Sequence, residues 1–250
     1  MSLTNLRIVL VRPRYSGNIG AVARAMGNMG INDLALVSPA QLCRDEADAM
    51  AVHARNVLDT MQVHTSLRAA VADCGLVVGT TRRPGLYREG ALTLREFAPH
   101  VAATATANRV ALVFGPEDSG LANEDLRFCH RLVTIPTDLT YASLNVAQAV
   151  LLCCYEVFLA AQGEVPASPR PLAVAERQEL MYEKLKSALR KIGFLHGDNP
   201  DHIMFALRRV LGRAGLEDRD VRILLGMARQ IEWYASGGWR LQGGREDPPQ

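Results

Sequence analysis

The sequence predicts an α/β fold built on a parallel sheet, followed by a small domain made only of helices. Two observations predict this arrangement. Up to about residue 160, short apolar runs alternate with segments of helical periodicity. Beyond a proline-containing stretch at residues 163–175, only the helical pattern continues. We therefore expect an α/β domain over residues 1–162, a linker over residues 163–175 and a helical domain over residues 176–250.

The apolar runs of the first part are the candidate strands. They are almost continuously hydrophobic, as expected for parallel strands that helices cover on both faces. The candidate helices of the last part are separated by glycine and proline. The strands are predicted at residues 7–11, 34–37, 76–78, 110–114 and 132–135, and the C-terminal helices at about 175–192, 200–213 and 217–236.

Composition excludes several classes of protein. The 250 residues are 48% hydrophobic and 22% charged, which is typical of an ordered globular chain. No apolar run reaches the roughly 18–20 residues of a membrane helix, and the N-terminus lacks signal-peptide features, so we expect a cytoplasmic protein without a membrane partner. The five cysteines and six histidines show no zinc spacing, so we expect no metal. The net charge of +2 gives no bulk sign of nucleic acid.

Ligands of open parallel sheets bind beyond the carboxyl ends of the strands, so the loops there are the candidate site. The first loop contains Asn18, a natural helix N-cap, then Gly20 and Arg24. Arg24 lies on the same helix face as Gly20, which has no side chain to obstruct it, and it leans toward the helix N-terminus. This arrangement favours a phosphate site. A tight turn with a solvated arginine is the alternative.

Three further loops carry polar or glycine residues. The loop at residues 79–85 contains Arg82 and Arg83, which suit an anion or simply face solvent. Gly115 ends a strand and would let a ligand approach the backbone, while Ser119 does not fit the G-x-S-x-G motif of serine hydrolases. Ser143 either belongs to the site or caps the next helix, which is apolar nearly all round and should be buried.

In this order, three of these loops resemble the signature motifs of the SPOUT family of RNA methyltransferases. The motifs are Asn18, Gly20 and Arg24, then residues 114–121, then Ile135-Pro136 with Ser143-Leu144-Asn145. The chain is more narrowly similar to bacterial enzymes that methylate the 2′-hydroxyl of cytidine or uridine in tRNA. The resemblance implies a parallel-sheet fold with a C-terminal trefoil knot, S-adenosylmethionine as methyl donor, a homodimer that shares each RNA site, and nucleotide 32 of tRNA as target.

The resemblance also implies residue roles. Arg24 and Ser143 are the expected catalytic residues. Asn18, Arg24 and Arg83 are expected to face RNA, with Arg88 as a candidate replacement because the second basic residue of the family's loop falls on Gly85 here. The expected donor-binding residues are Thr80, Thr81, Arg82, Gly115, Ile135, Ala142, Ser143 and Leu144.

The mechanism and the role of the C-terminal domain leave alternatives. Arg24 either acts as a base when transiently neutral, or clamps a phosphate while another group takes the proton; we favour the clamp because arginine has no lone pair to spare. The basic C-terminal residues either grip tRNA or form a solvated face. They are Lys184, Lys186, Arg190, Lys191, Arg208, Arg209 and Arg213.

Three rival functions follow from the same sequence. The chain could methylate ribosomal RNA instead of tRNA, or bind RNA through the same fold without catalysis. The intact polar residues of the motifs argue against loss of catalysis. A nucleotide-dependent dehydrogenase is remote because the sequence lacks G-x-G-x-x-G.

Overall fold

A computed structural model describes residues 3–81, 91–138, 140, 143–163, 170–195 and 200–238. The chain divides into two compact units, Met1–Glu176 and Arg177–Gln250. The first unit is an α/β layered structure and the second is helical.

A parallel sheet forms the centre of the first unit. Its strands run in the order β3-β2-β1-β6-β4-β7-β5 across the described residues, and every neighbouring pair is parallel. The central strands are buried along their whole length, as the near-continuous apolar runs predict. The strands are β1 (Leu6–Val11), β2 (Asp33–Val37), β3 (Gln62–His64), β4 (Leu76–Thr80), β5 (Leu92–Thr93), β6 (Val110–Phe114) and β7 (Arg131–Thr134).

The five strands predicted from the sequence are confirmed, and two were missed. The missed strands are β3 and β5, which have three and two residues and lie at or toward the two edges of the sheet. Val63 of β3 is 56% exposed. Because edge strands need not bury both faces, they carry no continuous apolar run that would reveal them.

Helices α2, α1, α7 and α5 pack side by side against the sheet. The pairs α1 with α2, α1 with α7 and α5 with α7 make the most extensive helix contacts. Their buried faces join the strands in one hydrophobic core. The described helices of this unit are α1 (Ser16–Asn28), α2 (Arg44–Ala51), α3 (Arg55–Thr60), α4 (Leu67–Ala70), α5 (Leu94–Ala105), α6 (Asn123–Leu126) and α7 (Val146–Gln162).

Helix α7 differs from its prediction. The sequence predicts burial all round, and α7 does bury one face against α1 and α5. Its other face is exposed to solvent and still apolar, so the prediction of complete burial is wrong for the single chain. That face consists of Leu151, Leu152, Tyr155 and Leu159, each 38–44% exposed.

The amino ends of the strands meet in a cluster of ion pairs. Arg7 is 3% exposed, and its guanidinium donates to Asp33 at 3.0 Å and to Asp73 at 2.7 Å. It also donates to the Ala70 carbonyl oxygen at 2.8 Å, and Arg109 forms a second ion pair with Asp73. A buried guanidinium must keep its donors satisfied, and this cluster does so.

After α7, residues 170–175 form hydrogen bonds with residues near the amino ends of β4 and β6. The Asn108 amide donates to the Arg170 carbonyl oxygen and accepts from the Leu172 amide, while Ala175 donates to the Cys74 carbonyl oxygen. The described half of the predicted linker is therefore packed on the first unit, and the boundary between the units lies at residues 176 and 177.

The second unit packs three helices, α8 (Ala175–Lys191), α9 (Pro200–Ala214) and α10 (Asp218–Ala235). Met181, Met204 and Val221 lie in its interior. Arg208 pairs with the largely buried Glu179 and lies over the ring of Tyr182, 4.3 Å from its centroid. Among the described residues of the whole chain, no helix is long and apolar enough to cross a membrane.

All five cysteines are free thiols in very different surroundings. Burial raises the pKa of Cys74 and of Cys154 to about 12, and it raises that of Cys153 well above the ordinary value. Burial also raises the pKa of Cys129. Cys43, in contrast, is exposed.

Candidate functional site

The first loop of the site leads from β1 into α1. Helix α1 begins at Ser16 and has no side-chain cap, so the prediction that Asn18 is its N-cap is wrong. Asn18 lies inside the first turn instead, and this leaves its side chain available for other contacts. The Ser16 hydroxyl is also used elsewhere, since it accepts a hydrogen bond from the Cys43 amide at 2.8 Å.

Gly20 serves a different purpose from the one predicted. A Cβ atom at this position would lie 2.0 Å from the Ala47 carbonyl oxygen and 2.9 Å from the Met50 side chain. The absent side chain therefore allows α2 to cross close to α1, where it forms the most extensive helix contact of the unit. Clearance for Arg24 is not needed to explain this glycine.

Three loops are joined by one chain of hydrogen bonds. The Asn18 amide donates to Glu117 Oε1 at 2.9 Å, and the Asn145 amide donates to Asn18 Oδ1 at 3.0 Å. The other oxygen of Glu117 accepts from the Arg14 backbone amide at 3.2 Å. The loops after β1, β6 and β7 are thus held together by polar side chains from each of the three resembling motifs.

Two arginines that follow β1 form ion pairs with the segment that follows β6. Arg14 forms an ion pair with Asp118, with 2.7 Å between Nη2 and Oδ2. Arg12 pairs with Asp125, which is largely buried and also accepts from the Ala122 amide at 2.9 Å. Arg12 has a left-handed backbone with φ of 50°, a strained conformation that often occurs beside functional sites.

A cleft that is open to solvent lies at the carboxyl ends of β4, β6 and β7. Thr80, whose hydroxyl donates to the Val113 carbonyl oxygen at 3.0 Å, stands at one wall. Six of the predicted donor-binding residues line the cleft together, namely Thr80, Thr81, Gly115, Ile135, Ser143 and Leu144.

Gly115 is required by the shape of the cleft. A Cβ atom there would lie 2.1 Å from the carbonyl carbon of Gly120 and 2.2 Å from the Leu121 amide nitrogen. The loop over residues 116–121 therefore folds back onto the end of β6, and its backbone makes the close approach that we predicted for a ligand. Gly120, with φ of +67°, provides the sharp turn.

Ser143 does not cap the next helix. Helix α7 begins at Val146, and its N-cap is Asn145, whose side-chain oxygen accepts from the Ala147 amide at 2.8 Å. Gln148 completes a capping box, because its side-chain oxygen accepts from the backbone amide of Asn145. The capping alternative for Ser143 is thereby removed, and its exposed hydroxyl lies in the lining of the cleft.

Arg24 lies apart from the cleft lining. It is exposed on α1, six residues beyond Asn18, which corresponds to roughly 9 Å along the helix axis. Within the described part of the chain no carboxylate pairs with it, in contrast to Arg7, Arg12, Arg14 and Arg109. Of the other predicted site residues, Arg82, Arg83, Arg88 and Ala142 lie outside the described residues.

Comparison with known proteins identifies the family. Residues 5–155 match the model of the SpoU rRNA Methylase family, and residues 176–240 match that of the tRNA methyltransferase TrmJ, C-terminal domain. The chain belongs to the TrmJ group of the SpoU methylase family. The resemblance predicted from three motifs is therefore confirmed, and so is the α/β fold with a helical C-terminal region. The trefoil knot stays a prediction.

Several TrmJ proteins are similar along nearly the whole chain. The tRNA (cytidine/uridine/adenosine-2′-O-)-methyltransferase TrmJ of Pseudomonas aeruginosa is 38% identical over 94% of this chain and 96% of its own length. The tRNA (cytidine/uridine-2′-O-)-methyltransferase TrmJ of Klebsiella pneumoniae is also 38% identical, over 94% and 99%. The crystal structure of TrmJ from Z. mobilis ZM4 superposes with a TM-score of 0.78 at 32% identity, covering 90% of this chain and 98% of that chain.

Three residues of the site, Glu117, Asn145 and Arg14, had no role predicted from the sequence. Glu117 and Asn145 stand inside the motifs, so their position in the pattern was a usable signal. Arg14 carried no such signal, because its partner Asp118 is 104 residues away in sequence and no local spacing connects them.

Proposed function

We propose that this protein transfers a methyl group from S-adenosylmethionine to the ribose 2′-hydroxyl of tRNA, at a cytidine or uridine at nucleotide 32. The observation that carries the proposal is the cleft at the carboxyl edge, where the second and third motifs meet the loop after β4 in a chain of the TrmJ group. We further propose that it acts in the cytoplasm, where its tRNA substrate would be found.

The lining of the cleft suits the methyl donor. Ile135, Leu144 and Phe114 offer apolar surface for an adenine ring, and the Thr80 and Thr81 side chains stand nearby. Backbone amides and carbonyls of the 115–120 segment supply polar contacts without bulky side chains. The bound donor supplies an activated methyl group, so the protein must position the acceptor and help remove its proton.

Ser143 is the residue of the cleft that we assign to orienting donor and acceptor. Its hydroxyl can both donate and accept a hydrogen bond. Since Asn145 caps α7 and is tied to Asn18, the segment that carries Ser143 is held from two sides. A nucleophilic role is not proposed, because no basic side chain among the described residues hydrogen-bonds to the hydroxyl.

Arg24 is proposed to clamp a phosphate next to the reacting ribose. Its guanidinium is exposed, carries no carboxylate partner within the described residues, and presents a planar fork that matches phosphate. The clamp would polarise the hydroxyl while a phosphate oxygen or water accepts the proton. Since Arg24 is not part of the lining of its own cleft, we propose that it acts on the site of a second subunit.

The apolar face of α7 supports a homodimer. Leu151, Leu152, Tyr155 and Leu159 form a contiguous stripe at helical spacing, and such patches mark protein interfaces. Helix α1, which carries Arg24, packs directly against α7. A symmetric contact through α7 would bring α1 of each subunit toward the interface, as a shared RNA site requires.

The proposed activity is tested by mapping ribose methylation in total tRNA, by mass spectrometry, from a strain that lacks this protein. We expect methylation at nucleotide 32 to disappear and to return when the wild-type protein is supplied, but not when Arg24→Ala is supplied. Loss confined to ribosomal RNA would contradict the tRNA assignment. Unchanged RNA together with no calorimetric binding of S-adenosylmethionine would contradict the activity itself.

The homodimer is tested by sedimentation. Leu152→Glu places a charge in the centre of the exposed stripe and should convert a dimer into monomers. Val63→Glu is the matched control, because Val63 is similarly exposed but lies on the edge strand β3. A wild-type protein that sediments as a monomer at micromolar concentration would contradict the proposal.

A further inference from the structure

The basic residues of the second unit are not equivalent in their surroundings. Three that the sequence suggested as tRNA contacts are already paired with carboxylates. Lys186 pairs with Asp201, and Lys191 pairs with Glu232 at 3.3 Å. Arg208 pairs with Glu179 and also lies over the ring of Tyr182. Their charges are balanced by carboxylates within the helical unit, so they offer little unbalanced positive charge to an anion.

Helix α10 presents the opposite situation. Arg219, Arg222 and Arg229 are exposed, and in the described part of the chain no carboxylate pairs with any of them. Arg222 makes one long contact, 3.4 Å from its Nε to the Asp218 carbonyl oxygen. These arginines were not among the residues that the sequence suggested, since their spacing alone does not separate them from paired ones.

The acidic residues of α10 form ion pairs or hydrogen bonds with groups other than these three arginines. Asp218 pairs with Arg177 at 2.7 Å, and Asp220 accepts from the Glu217 amide at the start of the helix. Glu232 accepts from the Ser187 hydroxyl at 2.6 Å and pairs with Lys191. The exposed half of α10 therefore carries positive charge that none of these carboxylates balances.

Apolar and aromatic side chains lie beside this charge. Ile223, Met227 and Tyr234 follow each other at spacings of four and seven residues, so they share one face of α10, and each is 47–53% exposed. Arg222 and Arg229, seven residues apart, form the adjacent stripe. Positive charge next to an exposed ring is the combination with which proteins bind nucleic-acid backbone and stack unpaired bases.

We propose that the exposed face of α10, formed by Arg219, Arg222, Ile223, Met227, Arg229 and Tyr234, is the tRNA-binding surface of the helical unit. The arginines contact backbone phosphates, and the Tyr234 ring packs against a base or ribose. This inference rests on the proposed function and names the surface that the acceptor RNA contacts. The excess of unpaired positive charge favours a polyanion over a second protein as the occupant.

The test compares two double variants of the full-length protein that each lose two positive charges. Arg222→Gln with Arg229→Gln removes unpaired charge from α10. Lys186→Gln with Lys191→Gln removes paired charge from α8. Affinity for a tRNA transcript is measured from about 50 to 200 mM salt, where phosphate contacts dominate the salt dependence.

We expect the α10 variant to bind tRNA about 10-fold more weakly or worse, and its log–log salt slope to fall by about 1.5, since each phosphate contact contributes about 0.7–0.9. The α8 variant should stay within about 2-fold of wild type. Equal affinities for the α10 variant and wild type, or an equal loss in both variants, would overturn the inference.

The contribution of the ring is tested separately. Tyr234→Ala should weaken tRNA binding by about 5-fold or more, and Tyr234→Phe should restore it because stacking needs the ring and not the hydroxyl. If Ile223→Ser with Met227→Ser alters the sedimentation coefficient and leaves tRNA affinity unchanged, the face joins protein subunits and the inference is wrong.

Two measurements keep failure of the inference distinct from failure of the proposed function. Calorimetric binding of S-adenosylmethionine and the melting temperature should match wild type in both double variants, because neither alters the cleft or the core. If the wild-type protein itself does not bind tRNA, the proposed function fails. If wild type binds and methylates tRNA but the α10 variants do so equally, only the assignment to α10 fails.

Discussion

Arginines at the amino end of the central sheet and on the helix that follows β1 lie in opposite surroundings. At the amino end, Arg7 is buried and held by Asp33, Asp73 and a carbonyl oxygen. On α1, the helix that follows the carboxyl end of β1, Arg24 is exposed and has no carboxylate partner within the described residues. The same side chain thus supports the fold where its charge is satisfied and remains available to an anion where it is not.

The contrast gives each end its own expected response to substitution. Changes at the amino end should lower the free energy of unfolding and leave ligand affinity intact. Changes at the carboxyl end should do the reverse. A substitution that moves both quantities by similar amounts at either end would break the comparison.

The largest expected effect is on stability at the amino end. Arg7→Ala leaves Asp33 and Asp73 without their shared buried partner and should lower the free energy of unfolding by about 3 kcal/mol. Urea denaturation measures this. Arg44→Ala is the control, since Arg44 also pairs with two carboxylates but on the surface, and should cost about 1 kcal/mol or less.

On α1 the corresponding change should affect catalysis. Arg24→Lys keeps the charge but loses the planar fork, and we expect kcat/KM for tRNA methylation to fall about 10²–10³-fold. Stability should change by less than about 0.5 kcal/mol, as for other exposed sites. Single-turnover rates across pH separate the two mechanisms for this residue. Near wild-type activity of the lysine variant would exclude both.

Two glycines, Gly75 at the amino end of the sheet and Gly115 at its carboxyl end, allow a second comparison of stability with ligand affinity. Gly115→Ala places a methyl group against the backbone of Gly120 and should weaken S-adenosylmethionine binding about 10-fold by displacing the cleft loop. Gly75→Ala, at the amino end, meets the Leu172 side chain at 3.0 Å and should cost about 1 kcal/mol of stability. Calorimetry should show unchanged donor affinity for the Gly75 variant, and a loss there would contradict the separation of the ends.

The smallest expected effect is a pH dependence of stability. Partial burial raises the pKa of Asp73, but attraction to Arg7 and hydrogen bonds from Arg109 and Arg7 outweigh it and hold the pKa below its ordinary value. Its contribution is therefore present above the unfolded pKa of about 3.9 and is lost as pH falls through the lower folded pKa.

Asp73→Asn should accordingly be less stable than wild type above about pH 5, and the difference should narrow as pH falls below the unfolded pKa of about 3.9. Because the Asp73 side chain is 47% exposed, we expect under about 1 kcal/mol. Urea midpoints of both proteins from pH 3 to 7 measure the difference. A gap that widens in acid would contradict the assignment of charge to this carboxylate.

Much of the fold was predictable because burial leaves a strong pattern. The central strands and the three C-terminal helices follow from continuous or periodic apolar residues. The edge strands β3 and β5 were missed because they are short and partly solvated. The exposed stripe of α7 was misjudged because a helix with an exposed apolar face and a fully buried helix have the same apolar sequence pattern.

Residues of the cleft lining could be predicted where they belong to a sequence motif. Contacts between segments that are distant in sequence could not. Ser143 and Gly115 were identified from their loops, and they line one cleft. The sequence could not show that Asn145 caps α7, that Gly20 admits α2, or that Arg14 reaches Asp118. Each of these depends on elements distant in sequence that meet only in the folded chain.

The distribution of thiols makes the wild-type chain suitable for labelling at one chosen place. At neutral pH the thiolate fraction of the other four cysteines is very small because burial raises the pKa values of Cys74, Cys129, Cys153 and Cys154. Cys43 is exposed, and its backbone amide donates a hydrogen bond to the Ser16 hydroxyl in the first turn of α1. A maleimide fluorophore on Cys43 would therefore report events beside the helix of Arg24, without the removal of any other cysteine.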